Sequence, residues 1–187
     1  MENISIFGVN IDNITLEEAT DIVEDFLVQD ELKTICTPNT EIVMVAKDDK
    51  DLKSIINKSD LVIPDGIGLI YGSRIRKKPL KERVTGFDLS IKLLEIANEK
   101  GYRLFLLGGK EKVAKKAGKN ILEKYPNVKL VGYHHGYFKG SHIGYEDHEE
   151  ELNLINSINE AKPDIIFVGL GFPKQEIWIA KNKNRLD

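Results

Sequence analysis

Apolar positions along the chain recur with two periods, and the two periods alternate. "ISIFGVNIDNIT" reads as two short strands around a Gly8-Val9-Asn10 turn. Thr15 then opens a helix, with Glu18 three residues on as the partner of a capping box. Leu16, Ala19, Ile22, Val23, Phe26 and Leu27 give that helix one apolar face. "KTICT" is a short strand, followed by a helix from about Thr40, and "DLVIP" is another strand. A helical pattern comes next at Phe87, Ile91, Leu94 and Ala97. Three strand-like runs succeed it, "RLFLL", "VKLVG" and "DIIFVG". Helical patterns separate them, one through Val113, Ala114, Ala117, Ile121 and Leu122, the other through Leu152, Ile155 and Ile158. Apolar strands alternating with amphipathic helices predict an α/β fold, a Rossmann-like and mostly parallel sheet with helices on both faces, entered through an N-terminal β-hairpin.

Composition narrows the class. The chain has 187 residues and shows no repeat and no linker, so a single domain over 1–187 is expected. A formal net charge of −3 gives no global attraction to nucleic acid. The single cysteine, Cys36, excludes an internal disulfide, fits a reducing compartment and reads as a buried small hydrophobe in its strand. No apolar run approaches the ~18 residues of a membrane span, and "MENISIFGVN" lacks the basic start of a signal peptide. A cytoplasmic location is expected, with docking on a membrane surface left open.

In a parallel α/β sheet, ligands bind beyond the carboxyl ends of the strands. The successive strands here end in Thr37-Pro38-Asn39, then Asp65-Gly66, then Gly108-Gly109, then "GYHHGYF", then "GLGFPKQE". Any one of these loops is explained by turn formation; five of them together, expected on one edge, point to a site. Gly108-Gly109 before a helix can offer backbone amides to a phosphate, although neither G-x-G-x-x-G nor G-x-x-x-x-G-K-[ST] is present. Pro173 suits a helix start, which places Lys174, Gln175 and Glu176 in a first turn at the same edge; ordinary capping, with Glu176 favourable at the positive helix end, is the plainer account.

"RIRKKPLKER", residues 74–83, has six basic residues in ten. Such a run is usually a solvated loop; its functional reading is a site for phosphates or for an anionic membrane surface. Arg83 stands apart, because "RVTGFD" sets it beside a turn and a helix start, where a guanidinium can clamp a diphosphate in a paired fork. Metal binding is not expected. His134, His135, His142 and His148 lack catalytic zinc spacing, no Asp-x-Asp pair comes after a strand, and the acidic run 146–151 reads as the solvated start of a helix.

The motifs "TPNTE", "PDGIG", "RVTGFD", "LLGG", "GYHHGYF" and "VGLGFPKQEIWI" occur in this order between about residue 4 and residue 181. Together they resemble the WecG/TagA/CpsF glycosyltransferases, glycosyltransferase family 26, and within it the members that make wall teichoic acid. The resemblance implies an inverting transfer that needs neither metal nor cofactor. The implied donor is UDP-N-acetylmannosamine. The implied acceptor is undecaprenyl-diphosphate-linked N-acetylglucosamine, so the protein is expected at the inner face of the cell membrane as a peripheral protein. A homo-oligomer stays open. An inverting transfer needs a base for the acceptor hydroxyl, and Asp65 is expected to be that base; the competing account is that Asp65 caps a helix beginning at Gly66. Arg83, helped by helix N-terminal amides near Gly109, is expected to hold the leaving diphosphate. Substrate binding is expected from Thr37, Asn39 and Gln175 toward sugar hydroxyls and the acetamido group. The strand-end positions Gly66, Gly108, Gly109, Gly136, Gly169 and Gly171 belong to the same set, with Tyr137 stacked on the uracil or, alternatively, in the core.

Other functions stay open on sequence. A non-catalytic nucleotide-sugar sensor would tolerate loss of Asp65, a family relative could use another UDP-sugar, and a nicotinamide oxidoreductase would have to bind NAD without the fingerprint. "PKQEIWIAKNKNRLD" reads as a helix with Ile177, Ile179 and Ala180 apolar and Lys181, Lys183 and Arg185 basic, reaching Asp187 without a glycine cap or proline stop. The resemblance, whose members generally continue past this point, implies a further C-terminal segment; the plainer account is a complete protein whose last helix frays at its end.

Overall fold

A computed structural model describes residues 2–186. The chain divides into two compact units, the second beginning at Leu93. The first opens with β1 (Asn3–Ile6) and β2 (Val9–Asp12), paired antiparallel with Ile6 opposite Val9. The connecting turn is Phe7-Gly8, not Gly8-Val9-Asn10. Both residues take positive φ, 51° and 86°, as a two-residue hairpin turn with the right twist requires. Ile4, Ile6, Val9 and Ile11 are buried on the inner side of the hairpin.

Helix α1 (Leu16–Phe26) starts as its sequence predicts. Thr15 Oγ1 accepts the Glu18 N–H at 3.2 Å, and Glu18 Oε2 accepts the Thr15 N–H at 2.8 Å. Strands β3 (Ile35–Cys36) and β4 (Leu61–Val62) run parallel, separated by α2 (Thr40–Asp48) and α3 (Lys50–Asn57). Asp49 ends one helix and caps the next, accepting the Leu52 N–H at 2.9 Å, so the segment after Thr40 holds two helices where one was expected. Each strand is two residues long, with Pro38 and Pro64 shortly after; a proline has no N–H to extend a ladder. Asp12 Oδ2 accepts the Val62 N–H at 2.8 Å, fastening the hairpin to the parallel pair. Helix α4 (Ile67–Ile75) comes next, so the basic run begins on a helix.

Helix α5 (Gly86–Lys100) spans the division between the units. It buries Leu89, Leu93, Leu94, Ile96 and Ala97 and leaves Phe87 73% exposed, so Phe87 is not part of the apolar face. The second unit is a three-stranded parallel sheet, β6 (Lys129–His134), β5 (Arg103–Gly108) and β7 (Ile165–Gly169), with β5 central. The parallel strands thus form two separate sheets among the described residues, where one continuous sheet was expected.

Central strand β5 is buried along Leu104–Leu107, as a strand covered on both faces must be. Its side chains alternate. Leu106 lies beneath α6 (Val113–Lys124), where a Cβ on Gly118 would collide with Leu130 and stand in ordinary contact with Leu106. Phe105 and Leu107 pack on the other side in a cluster with Phe138, with Leu154, Ile155 and Ile158 of α7 (Glu149–Ala161), and with Trp178 of α8 (Lys174–Asn182). Helices therefore cover both faces of this sheet.

Candidate active site

In the first unit the loops after β3 and β4 meet the start of α5. Asp65 is half-buried there. Its N–H donates to Ile63 O at 3.1 Å and Pro38 O at 3.3 Å, which fixes the strand end. Its Oδ2 accepts the Gly86 N–H at 3.0 Å, a carboxylate set where the positive end of α5 favours it. Oδ1 has no hydrogen bond among the described residues. The first residue of α4 is Ile67 and its cap is Gly66, with no side-chain capping bond, so Asp65 does not cap that helix.

Arg83 Nε donates to Asp65 O at 3.0 Å. The side chain is exposed, and its two Nη groups bond nothing else among the described residues, so the fork is open. The helix start that "RVTGFD" predicts is real: Thr85 Oγ1 accepts the Asp88 N–H at 2.9 Å and donates to Asp88 Oδ2 at 2.6 Å. Thr37 packs on Gly86, where an added Cβ would lie 3.1 Å from both Thr37 Oγ1 and Cγ2. Gly66 lies so close to the Thr40 N that a side chain would collide with it. Asn39 is partly committed to the scaffold. Its Oδ1 caps α2 by accepting the Ile42 N–H at 2.9 Å, leaving the amide nitrogen for any ligand. Thr37, Asn39, Asp65, Gly66 and Arg83 are thus brought together as the sequence predicts.

In the second unit the ends of β5, β6 and β7 are stitched by backbone. The Gly109 N–H donates to Gly169 O at 3.2 Å and the Gly136 N–H to Gly109 O at 2.9 Å. Gly108 has φ +141°, and a Cβ there would strike the Gly169 backbone, so the close approach of these strand ends requires glycine. These loops line a cavity of about 560 Å³ with Gly109, Gly136, Gly169 and Gly171, Tyr137, Lys139, Lys174, Glu150 and His142 around it. Tyr137 is 70% exposed, so it is not a core aromatic; Phe138, beside it, is. Gln175 does not line the cavity; its side chain donates to Glu176 Oε1 at 3.0 Å.

Four residues take places that the sequence did not signal. Glu151, in the acidic run, is fully buried and accepts from Ser141 N–H and Oγ and from Asn182 Nδ2 at 2.7–3.1 Å. Only Glu149 and Glu150 of that first helical turn are solvated. Its position on the inward side of α7, in line with Leu154, Ile155 and Ile158, is the signal that marks it. Trp178, absent from the predicted apolar face of α8, is its fully buried anchor, whereas Ile177, Ile179 and Ala180 are not fully buried. Glu176 is buried with Oε2 unpartnered, and burial raises its pKa. His142 is buried on the cavity wall with Nδ1 unpartnered, and burial lowers its pKa. Among the described residues no three His, Cys, Asp or Glu side chains are grouped as metal ligands, and no helix is long and apolar enough to cross a membrane.

Comparison with known sequences gives a consistent result. The profile of the "Glycosyl transferase WecG/TagA/CpsF family" matches residues 4–187. Proteins of Staphylococcus aureus strains NCTC 8325 / PS 47 and COL are each 33% identical over 186 residues, covering 98% of this chain and 69% of their own length. Both bear the name N-acetylglucosaminyldiphosphoundecaprenol N-acetyl-beta-D-mannosaminyltransferase.

Proposed function

The chain belongs to the WecG/TagA/CpsF family of glycosyl transferases, and on that premise we propose that it transfers N-acetylmannosamine from UDP-N-acetylmannosamine to a lipid-diphosphate-linked N-acetylglucosamine, with inversion at the anomeric carbon. The product would enter wall teichoic acid or a related surface polymer. The observation that carries the reading is the state of Asp65: one carboxylate oxygen anchored on the α5 N-terminus, the other open, and Arg83 bound to the same residue's carbonyl.

The chemistry derives from those groups. The acceptor hydroxyl gives its proton to Asp65 as its oxygen attacks the anomeric carbon from the face opposite the diphosphate. The bond from that carbon to the diphosphate oxygen breaks, and UDP leaves with the electron pair. Arg83, with a free fork on a guanidinium that stays charged, offsets the charge that develops on the diphosphate. Thr37 and the amide nitrogen of Asn39 offer neutral groups to the sugar. In the second unit, the glycine-lined cavity with Tyr137 on its wall suits a nucleotide: an aromatic face for the base, and lysines with backbone amides for phosphate.

The test is a donor screen. UDP-N-acetylmannosamine, UDP-N-acetylglucosamine and UDP-glucose are each offered with a short-chain lipid-diphosphate-GlcNAc analogue. Turnover of the first alone, giving a β-linked disaccharide by the one-bond C1–H1 coupling at the anomeric centre, is expected. Turnover of a different donor, or retention of configuration, overturns the proposal. UDP binding with no turnover of any donor would leave a nucleotide-sugar-binding protein instead.

A further inference from the structure

Helix α4 leaves three large apolar side chains in solvent: Ile67, Tyr71 and Ile75, which are 52%, 58% and 83% exposed. Their spacing of four residues sets them in one row along the helix. At 1.5 Å per residue that row is about 12 Å long. Leu69, Ile70 and Ser73 are buried on the other side, so the helix is held in place by its inner face while the row serves no packing within the first unit. A solvent-facing row of this size marks a surface that meets something apolar.

The charges at its end say what. Arg74, Arg76, Lys77 and Lys78 are exposed, and none of the four side chains has a hydrogen bond or ion pair among the described residues. The helix, IGLIYGSRI, carries no acid. We propose that the outer face of α4 docks on an anionic lipid surface. Ile67, Tyr71 and Ile75 enter the boundary between headgroups and acyl chains, and the four cations take the lipid phosphates. A second copy of the chain fits less well. Two α4 helices packed in parallel set cation on cation, and packed antiparallel they set the cations on the positive end of a helix that has no acid in its first turn.

The docking has a consequence for the site, which rests on the acceptor proposed above. Asp65 lies two residues before α4, so seating this helix brings the Asp65 loop to the headgroup layer, where a lipid-linked sugar is presented. The position of α4 thereby distinguishes the membrane-bound acceptor from a soluble analogue.

Co-sedimentation of the 187-residue protein with vesicles tests this, using phosphatidylcholine alone and phosphatidylcholine mixed with phosphatidylglycerol. Binding to the anionic vesicles only is expected. Ile75→Ser should weaken it at least about 10-fold, from lost apolar burial. The pair Arg76→Ser and Lys77→Ser should weaken it about 30-fold, at roughly fivefold per cation. These positions are exposed, so unchanged thermal unfolding is expected of the variants. With Ile75→Trp, the added emission should shift to the blue on anionic vesicles. Wild type that ignores anionic vesicles, or variants that bind as wild type does, overturn the proposal. So does an Ile75→Ser that turns a dimer into a monomer without altering vesicle binding. Turnover of the soluble acceptor analogue should be the same in Ile75→Ser and wild type. Loss of turnover in wild type itself would strike the proposed reaction and leave the docking face standing on the vesicle data.

Discussion

Asp65 is held by its backbone and one oxygen, which is how a loop carboxylate keeps a fixed direction without being consumed by its own scaffold. Asp65→Asn preserves the size and can still accept from Gly86 through its amide oxygen. It is expected to lower kcat by ~10²–10⁴-fold, the range for a lost general base, with UDP affinity unchanged; near-normal turnover would remove the base role. Arg83→Ala should abolish most activity. Arg83→Lys should restore little, because a point charge cannot both reach the Asp65 carbonyl and fork a diphosphate. Equal rates for Lys and Arg would mean charge alone suffices. Glu176 is a different case. Burial raises its folded pKa above the ordinary 4.5, so its contribution to stability is present at low pH and is lost as pH rises through the folded value. Glu176→Gln should therefore unfold at a higher temperature than wild type near pH 7, with the advantage vanishing toward pH 4.5. A melting series across that range checks it, and a variant less stable at pH 7 would show that the carboxylate is needed as an anion.

Elements are placed by a few exacting contacts. The crossing of the β5 and β7 ends depends on Gly108, whose φ of +141° and contact with the Gly169 backbone exclude a side chain. Gly108→Ala is expected to cost about 1–3 kcal/mol in strain alone, and more from the collision, seen as a lower denaturant midpoint together with weaker UDP binding. A full-strength Gly108→Ala protein would show that the strand ends can separate freely. Glu151 ties the 3₁₀ turn Ser141–Ile143 to α7 and α8 through Ser141 and Asn182. The surface pair Lys181–Glu146, and Arg185–Asp147 at 3.2 Å, join the same segment to the α8 end of the chain. The exposed pairs contribute little, so the buried carboxylate with its several donors is the principal polar fastening.

At the scale of the whole molecule, several wholly or partly buried titrating groups act in opposite directions. His134 and His142 have pKa values lowered from 6.5 by burial. Their contribution is complete above pH 6.5 and lost as pH falls toward the lowered values. Asp12 and Glu176 are raised by burial and lose their contribution as pH rises. Stability should therefore peak at an intermediate pH and fall on both sides, and His142→Gln should flatten the acidic limb. The proposed transfer routes leaving-group charge to Arg83 and backbone amides. Excess EDTA should accordingly leave turnover intact, whereas activity abolished by chelator and restored by Mg²⁺ or Mn²⁺ would assign that role to a metal.

Local chemistry was legible in the sequence wherever a feature depends on neighbours along the chain. The Thr15–Glu18 capping box and the Thr85 helix start arise from side chains three positions apart, and each forms as predicted. The grouping of Thr37 and Asp65 was legible because consecutive strands of a parallel pair end on the same side, whereas Arg83 joins them through its bond to the Asp65 carbonyl, 18 positions away. Contacts between distant segments decided the rest. Whether Asp65 caps α4 or faces outward depended on the Gly86 amide, 21 positions away. Glu151 looks solvated in an acidic run and becomes buried because Ser141 and Asn182 converge on it. Phe87, expected on the apolar face of its helix, is exposed, and Trp178, not named on any apolar face, is fully buried, because periodicity identifies an apolar stripe but not which side of it meets another layer. The division of the parallel strands into two sheets is likewise a matter of tertiary structure, since ladder length is set where Pro38 and Pro64 withdraw a donor and where each strand finds its partner.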